Sequence, residues 1–493
     1  MPRTAFAAAI VLAFAIPQPL FATGAEQECP AGECYAQEEA RADLQHLHAT
    51  LQGEAIGLYA RRDKAGFDAK YEAMLAGIDG PVRRAQFHKQ LQELLAFASI
   101  GHLKTEAPIG DVIARVQAGG AIIPLSVTYR DGAMVTDQWA SKGEEMPPGS
   151  RITALGGLST KDFEAAARAL VSADTERLLR AQLEMALPVY LAMLFGEVDT
   201  LDVAFVRPDG TAGEERIPAV GFDAMYALQD ARPVPAPPAA PSPRFAEDLG
   251  GGVFYLQPGL FFALESEKQE GDGTYAIAAY EEFLSGAFTA LEASGASDLL
   301  IDLRGNAGGD ASFSDLIMAR VTDEPYRLWS RYEVRAGRNT KASWSDYEID
   351  GNDLGDRIAT ALASAADGET VAIDVPQVAP MTQERFDGRV WVLIDRHSYS
   401  NAAVVAAAMQ DTGMATLLGE ETADLATTYG AVERFSLPHS GASIVYPKSY
   451  MVRPSGDETV RGVRPDIILE PRAVGESEDA MLNRALAAIV AAR

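Results

Sequence analysis

The sequence predicts an α/β domain with a largely parallel sheet in the C-terminal half, preceded by a helical domain and a β domain. Three observations carry that reading. First, beyond residue 245 apolar, β-branched runs alternate with helical patterns: GGVFYLQ, SDLLIDLRG, RVWVLID and ATLLGEE read as strands, and 275–293, 311–320 and 402–410 as helices. Second, ARPVPAPPAAPSPRF, at 231–245, gathers prolines that stiffen the backbone and remove amide donors, which marks a linker or surface strap. Third, the texture changes before that linker. Residues 37–99 place Ala, Leu, Gln and Glu at helical spacing, broken at Gly80-Pro81. Residues 121–220 carry short strand-like runs, AIIPLSVTYRDG, RITALGG and TLDVAFVRPDG, interrupted by a helical insertion over 161–194. The expected division is a helical domain at 37–107, a β domain at 108–222, a linker at 223–245 and the α/β domain at 246–493.

The chain opens MPRTAFAAAIVLAFAIPQPLFATGAEQEC, one arginine before an apolar run broken by Pro17 and Pro19, then small residues. That order is a secretory signal peptide over 1–25, which places the mature protein in a periplasm or outside the cell. The apolar core is too short and interrupted to span a bilayer, and no later segment reaches the uninterrupted length, so no stable membrane insertion is expected. Export also bears on the two cysteines, Cys29 and Cys34 in CPAGEC. An oxidising compartment favours a small disulfide loop between them over a metal site, which would need more ligands. A formal charge of −28 argues against nucleic acid and anionic membrane surfaces as partners.

Two strand-to-turn junctions carry candidate chemistry. In VWVLIDRHSYSNAAVVAAAMQ a buried strand at 390–394 leads through a turn into an alanine-rich helix, so Ser400 and Asn401 stand where that helix begins. A serine there is an N-cap, its hydroxyl accepting from the first free amides. The same amides and the positive end of the helix dipole also suit an exposed nucleophile beside an oxyanion, and the turn alone does not choose. The second junction is LLIDLRGNAGGD, where Gly305, Gly308 and Gly309 let backbone approach backbone or aim amides at an anion. Neither G-x-G-x-x-G nor a P-loop pattern is present, which leaves nucleotide binding without support.

DLRGNAGG, then SYSNAA, then GEET and finally GVRPDI follow one another in an order that resembles the S41 peptidase family over residues 246–470. That family includes tail-specific and tricorn-type proteases and the repeats of interphotoreceptor retinoid-binding protein. The resemblance implies a ClpP/crotonase-like α/β core with Ser400 as nucleophile. It implies an oxyanion hole from the Asn401 amide and one of the paired glycines, Gly308 in preference to Gly309. Tail-specific members place a lysine after a GExTxG segment, but GEETADL at 419–425 has none, and the only lysine after Ser400 is Lys448.

Histidine is then the expected base. His46, His48 and His88 read as surface positions on helices, His397 lies in the turn before the serine, and His439 is in a Pro-His-Ser-Gly loop. Gly101-His102 matches the Gly-His pair that tricorn-type and retinoid-binding-protein-like members carry after their N-terminal helices, so the resemblance assigns the base to His102. Glu458, in GDETVRGVRPD, lies near the family's orienting acid, slightly offset from its pattern. Glu106, Glu420 and Glu421 are alternatives. MPPGSRITALGGLST and VAFVRPDG weakly resemble parts of a PDZ-like domain, although the helical insertion departs from it. The expected function is a serine endopeptidase acting on polypeptides without metal or organic cofactor, since no H-E-x-x-H is present. The rival is a non-catalytic protein of the same architecture that holds an apolar ligand or peptide.

Overall fold

The computed structural model describes residues 29, 32–137, 146–221, 223–225, 227, 244–268, 273–474, 476 and 479–493. The expected signal peptide and most of the proline-rich linker lie outside the described residues.

The C-terminal half is built on a six-stranded sheet in the order Phe245–Asp248, Val253–Gln257, Asp298–Asp302, Arg389–Ile394, Thr416–Gly419, Ile467–Ile468. The first pair is antiparallel and every later pair parallel. The central strands read as unbroken apolar runs because both faces are covered. Phe254, Leu256, Leu299, Ile301, Val392 and Ile394 face one core. Val253, Tyr255, Leu300, Trp391 and Leu393 face the other, against the C-terminal helix Ala480–Ala491. The helix Asn401–Asp411 is buried from Asn401 through Met409. Its alanines allow close approach from all sides.

A second, antiparallel sheet was not foreseen. It runs Glu369–Ile373, Arg331–Ala336, Ser443–Val452, Thr428–Ser436. Its strands Arg331–Ala336 and Thr428–Ser436 alternate in burial, as in AVERFS, and such short alternations do not stand out beside the long apolar runs. The helices Gln37–Glu54, Lys64–Gly77 and Arg84–Phe97 supply part of that cover. Leu44, Leu47, Leu51, Phe67, Phe87 and Leu91 share a core with Leu437, Ile444 and Tyr446. The chain leaving these helices adds the short strand Lys104–Thr105 to the same sheet, with Thr105 opposite Ile444 and Lys104 opposite Val445.

The middle region is an antiparallel sheet of Val127–Arg130, Ala133–Thr136, Arg151–Leu155, Thr200–Val206 and Ala212–Pro218. The expected insertion forms the helices Thr160–Ala167 and Glu176–Phe195. The latter is long and apolar enough to cross a membrane, but Leu179, Leu183, Leu187 and Leu191 fill the core of this region. That core reaches Ala423 and Tyr399 of the α/β domain. Cys29 and Cys34 are disulfide-bonded, their Cα atoms 6.0 Å apart.

Candidate active site

The two glycine- and serine-bearing turns leave neighbouring parallel strands and are tied to each other. Ser398 Oγ donates to the Leu303 carbonyl at 2.7 Å, and Asp395 Oδ1 accepts from the Gly305 amide at 3.1 Å. The Tyr399 amide donates to the Asn306 carbonyl at 2.9 Å. Ser400 therefore enters the helix at φ 54°, ψ −126°, a backbone region that side chains rarely occupy. Its hydroxyl makes no capping bond to the helix, which removes the N-cap reading. Instead Ser400 Oγ lies 3.4 Å from His102 Nε2, across 298 residues of sequence.

The glycine turn approaches so closely that side chains would collide. A Cβ on Gly308 would lie 2.6 Å from the Asn401 nitrogen and 2.7 Å from the Tyr399 carbonyl oxygen, and one on Gly309 2.2 Å from the Phe261 carbonyl oxygen. The Gly308 amide donates to Asn306 Oδ1 at 2.8 Å. Among the described residues the amides of Gly309 and Asn401 donate to no protein group. In this state the free donors are thus Asn401 and Gly309, the reverse of the expected preference within the glycine pair.

His102 is 6% exposed and its ring stacks on Tyr399, centroids 5.0 Å apart and planes 23° from parallel. Burial pushes its pKa down to about 4, against an opposing pull from Asp174. The imidazole is therefore neutral at pH 7, as a base must be before it accepts a proton. Its Nδ1 has no partner among the described residues.

Glu458 does not supply that partner. Its carboxylate pairs with Arg331 at 2.8 Å and accepts from Tyr450 at 2.9 Å, half-exposed at the sheet edge. The acids at the site are two that the sequence reading passed over. Asp424 Oδ2 accepts from the Ser400 amide at 2.6 Å and lies 3.9 Å from His102 Nε2; burial raises its pKa to about 6. Asp174, from the β region, accepts from the Gly101 amide at 2.7 Å and from Arg61 at 3.3 Å. Asp424 stands in GEETADL, the segment that corresponds to the lysine-bearing one of tail-specific members, so the motif order marks its place. Asp174 and Tyr399 carried no such signal. Three of the other histidines are engaged elsewhere: His48 with Asp68, His397 with Glu184, and His88, buried rather than at the surface as expected, with Asp111 and Tyr35. No group of three or more potential metal ligands occurs among the described residues.

A strained serine against a neutral histidine, with free amides at a helix start, is the arrangement of a serine-type hydrolase. The Peptidase family S41 profile matches residues 274–469, which makes the α/β domain a serine-peptidase domain of the S41 type. No curated protein sequence matches it. Among solved structures it is similar to mature CPAF (16% identity, 92% of this chain and 96% of that one, TM-score 0.61). It is also similar to mature CPAF complexed with lactacystin (16%, 92% and 97%, 0.60). A photosystem II D1 C-terminal processing protease is a more distant match (15%, 91% and 97%, 0.42). The CPAF likenesses extend the shared fold over the helical and β regions as well as the α/β domain.

Proposed function

We propose that this peptidase is an exported endopeptidase that cleaves polypeptides through an acyl-enzyme on Ser400, with His102 as general base. The observation that carries the reading is the 3.4 Å approach of His102 Nε2 to Ser400 Oγ beside two unengaged amides. Ser400 Oγ attacks the peptide carbonyl while His102 Nε2 takes its proton. The carbonyl oxygen, now negative, accepts from Asn401 and a glycine amide. Collapse expels the amine, which leaves with the proton from His102, and a water deprotonated by the same nitrogen then hydrolyses the ester. Asp424 stabilises the transient imidazolium through space and holds the Ser400 backbone; Glu458, 45 to 50% exposed with its arginine, braces the sheet edge.

The test is fluorophosphonate labelling with peptide mapping. Label is expected on Ser400, and both Ser400→Ala and His102→Ala abolish labelling and cleavage, with the double substitution little worse than either because the two act as a unit. Wild-type protein that neither labels nor cleaves unfolded polypeptide would overturn the assignment and favour the ligand-binding rival. Export rests on the N-terminal pattern and the paired cysteines, and predicts a mature N-terminus between residues 23 and 26, read by mass spectrometry of protein recovered outside the cytoplasm.

A further inference from the structure

His102 lacks the brace that the base of a serine hydrolase ordinarily has. Such an imidazole is held in line by a carboxylate at Nδ1. Here Nδ1 has no partner among the described residues, and the expected acid, Glu458, is engaged with Arg331 and Tyr450. Stacking on Tyr399 sets the tilt of the ring, and where the ring sits along Tyr399 is left to the backbone that carries it. The alignment of Nε2 on Ser400 Oγ therefore depends on what holds residues 101–103.

The β region holds them. Ser172-Ala173-Asp174, the segment that leads into the helix Glu176–Phe195, runs beside this backbone. Asp174 Oδ2 accepts from the Gly101 amide at 2.7 Å, and Ser172 Oγ donates to the Leu103 carbonyl at 2.5 Å. The two bonded residues are those immediately before and after His102. Gln92 extends the frame: its Nε2 donates to Ser172 Oγ at 3.1 Å and to the Leu170 carbonyl at 2.9 Å, while its Oε1 accepts from the Thr105 amide at 2.9 Å. On the other side the Tyr399 hydroxyl donates to the Gly101 carbonyl at 3.4 Å. Gly101 is the point of closest approach, where a Cβ would lie 2.8 Å from Leu178 Cδ2 and 3.1 Å from Asp174 Oδ2.

Gln92, Ser172 and the Asp174 side chain are all buried, so water does not compete for these bonds. A carboxylate suits the Asp174 position because its second oxygen is free to take Arg61, at 3.3 Å, while the first keeps Gly101. A bond from a buried charged acceptor to a backbone amide is short and directional, which is what fixing one residue against another requires.

We propose that Asp174 and Ser172 are positioning residues for the reaction: through the Gly101 amide and the Leu103 carbonyl they fix the backbone on both sides of His102 and so keep Nε2 on Ser400 Oγ without an acid at Nδ1. The proposal rests on the reading of His102 as general base, but one of its two readouts needs no catalysis. The first is fluorophosphonate labelling, resolved into encounter affinity and limiting rate, at a temperature where circular dichroism shows each variant folded. Asp174→Ala is expected to lower the limiting rate about a hundredfold, as for a catalytic group displaced by about 1 Å, with encounter affinity little changed. Asp174→Asn recovers most of the rate, because its amide oxygen still accepts from Gly101 while Arg61, partly exposed, turns to solvent. Ser172→Ala, which keeps Gln92 bonded to Leu170, loses about tenfold. The second readout is the magnetic resonance of isotopically labelled histidine in Ser400→Ala protein. The signal that disappears in His102→Gln is expected to carry the ring-current shift of Tyr399, to lose it in Asp174→Ala and to keep it in Asp174→Asn. A merely structural role gives a lower melting temperature with rate and ring shift unchanged, which overturns the proposal, as does an Asp174→Asn protein no faster than Asp174→Ala. Should Asp174→Ala not fold, Ser172→Ala decides, and an unchanged rate and ring shift there overturn it. Failure of the peptidase reading looks different: wild-type protein takes no label, while the ring shift still responds to Asp174 and Ser172.

Discussion

Ser400 is held in a backbone conformation that costs roughly 1–3 kcal/mol, and the Asp424 carboxylate on its amide is one of the contacts that keep it there. That makes Asp424 testable apart from the nucleophile. The productive form has His102 neutral and Asp424 ionised, so below about 6 the carboxylate protonates and the imidazolium loses its support, while the imidazole itself charges only near 4. Labelling rate should therefore rise with pH through about 6; in Asp424→Asn the plateau drops and the acid limb moves down towards 4. A limb that stays at 6 in the variant would assign it to another group. Gly308→Ala is predicted to abolish labelling without unfolding the helices, because its methyl would press on the Asn401 amide and the Tyr399 carbonyl. Far-UV circular dichroism alongside the label would check both halves of that statement. Ser400, His102 and the glycine turn were legible because motif order and a missing lysine constrain them. The acids were not: Asp174 reaches the site only through a tertiary contact of the β region with Gly101, and nothing local announces it.

At the scale of elements, the decisive piece is the docking of the first helix and the strand that follows the third. Buried Glu54 ends the helix Gln37–Glu54 by accepting from the Asn339 amide at 2.8 Å, the Thr340 amide at 3.2 Å and the Tyr446 hydroxyl at 3.1 Å. Asp43 accepts from the His439 and Ser440 amides at 2.9 and 2.7 Å. These carboxylates join the helices to the antiparallel sheet, and the strand Lys104–Thr105 follows in register. Glu54→Ala leaves several buried donors unpaired and is expected to cost about 3 kcal/mol. It should also slow fluorophosphonate labelling, since His102 is carried on the docked region; urea unfolding and labelling rate measured together would show whether the two fall in step. The sequence made the parallel strands plain, as continuous apolar runs, and hid the antiparallel sheet, whose residues Leu437, Ile444 and Tyr446 gain their burial from helices more than three hundred residues away.

Across the whole molecule, the turn that presents Ser400 is also where the β region is fastened. Glu184, on the helix Glu176–Phe195, receives Arg396 at 2.9 Å and His397 at 3.1 Å, and it also accepts from Thr128 and from the Tyr129 amide. Arg396 extends the link to Glu420 at 2.6 Å. Burial alone would lower the pKa of His397, but the bond to Glu184 and the field of Asp395 outweigh it and Arg396's opposition, so the pKa is raised. The folded state therefore binds a proton more tightly than the unfolded chain does. Its stabilisation is full below the unfolded value of 6.5 and is lost as pH rises through the higher folded value. His102 and Asp424 have their transitions below that window, at about 4 and about 6. Thermal unfolding followed from about pH 6 to about pH 8.5 should thus show wild-type protein losing stability relative to His397→Gln as pH rises, because the glutamine carries no proton to lose. Hydrogen exchange should localise the loss to the helix Glu176–Phe195, where Glu184 gives up its charged partner, before the central sheet is affected. Parallel pH dependences for the two proteins would mean that His397 binds its proton no more tightly in the folded state than in the unfolded one, and that Arg396 is left to fasten the β region to the turn that carries Ser400.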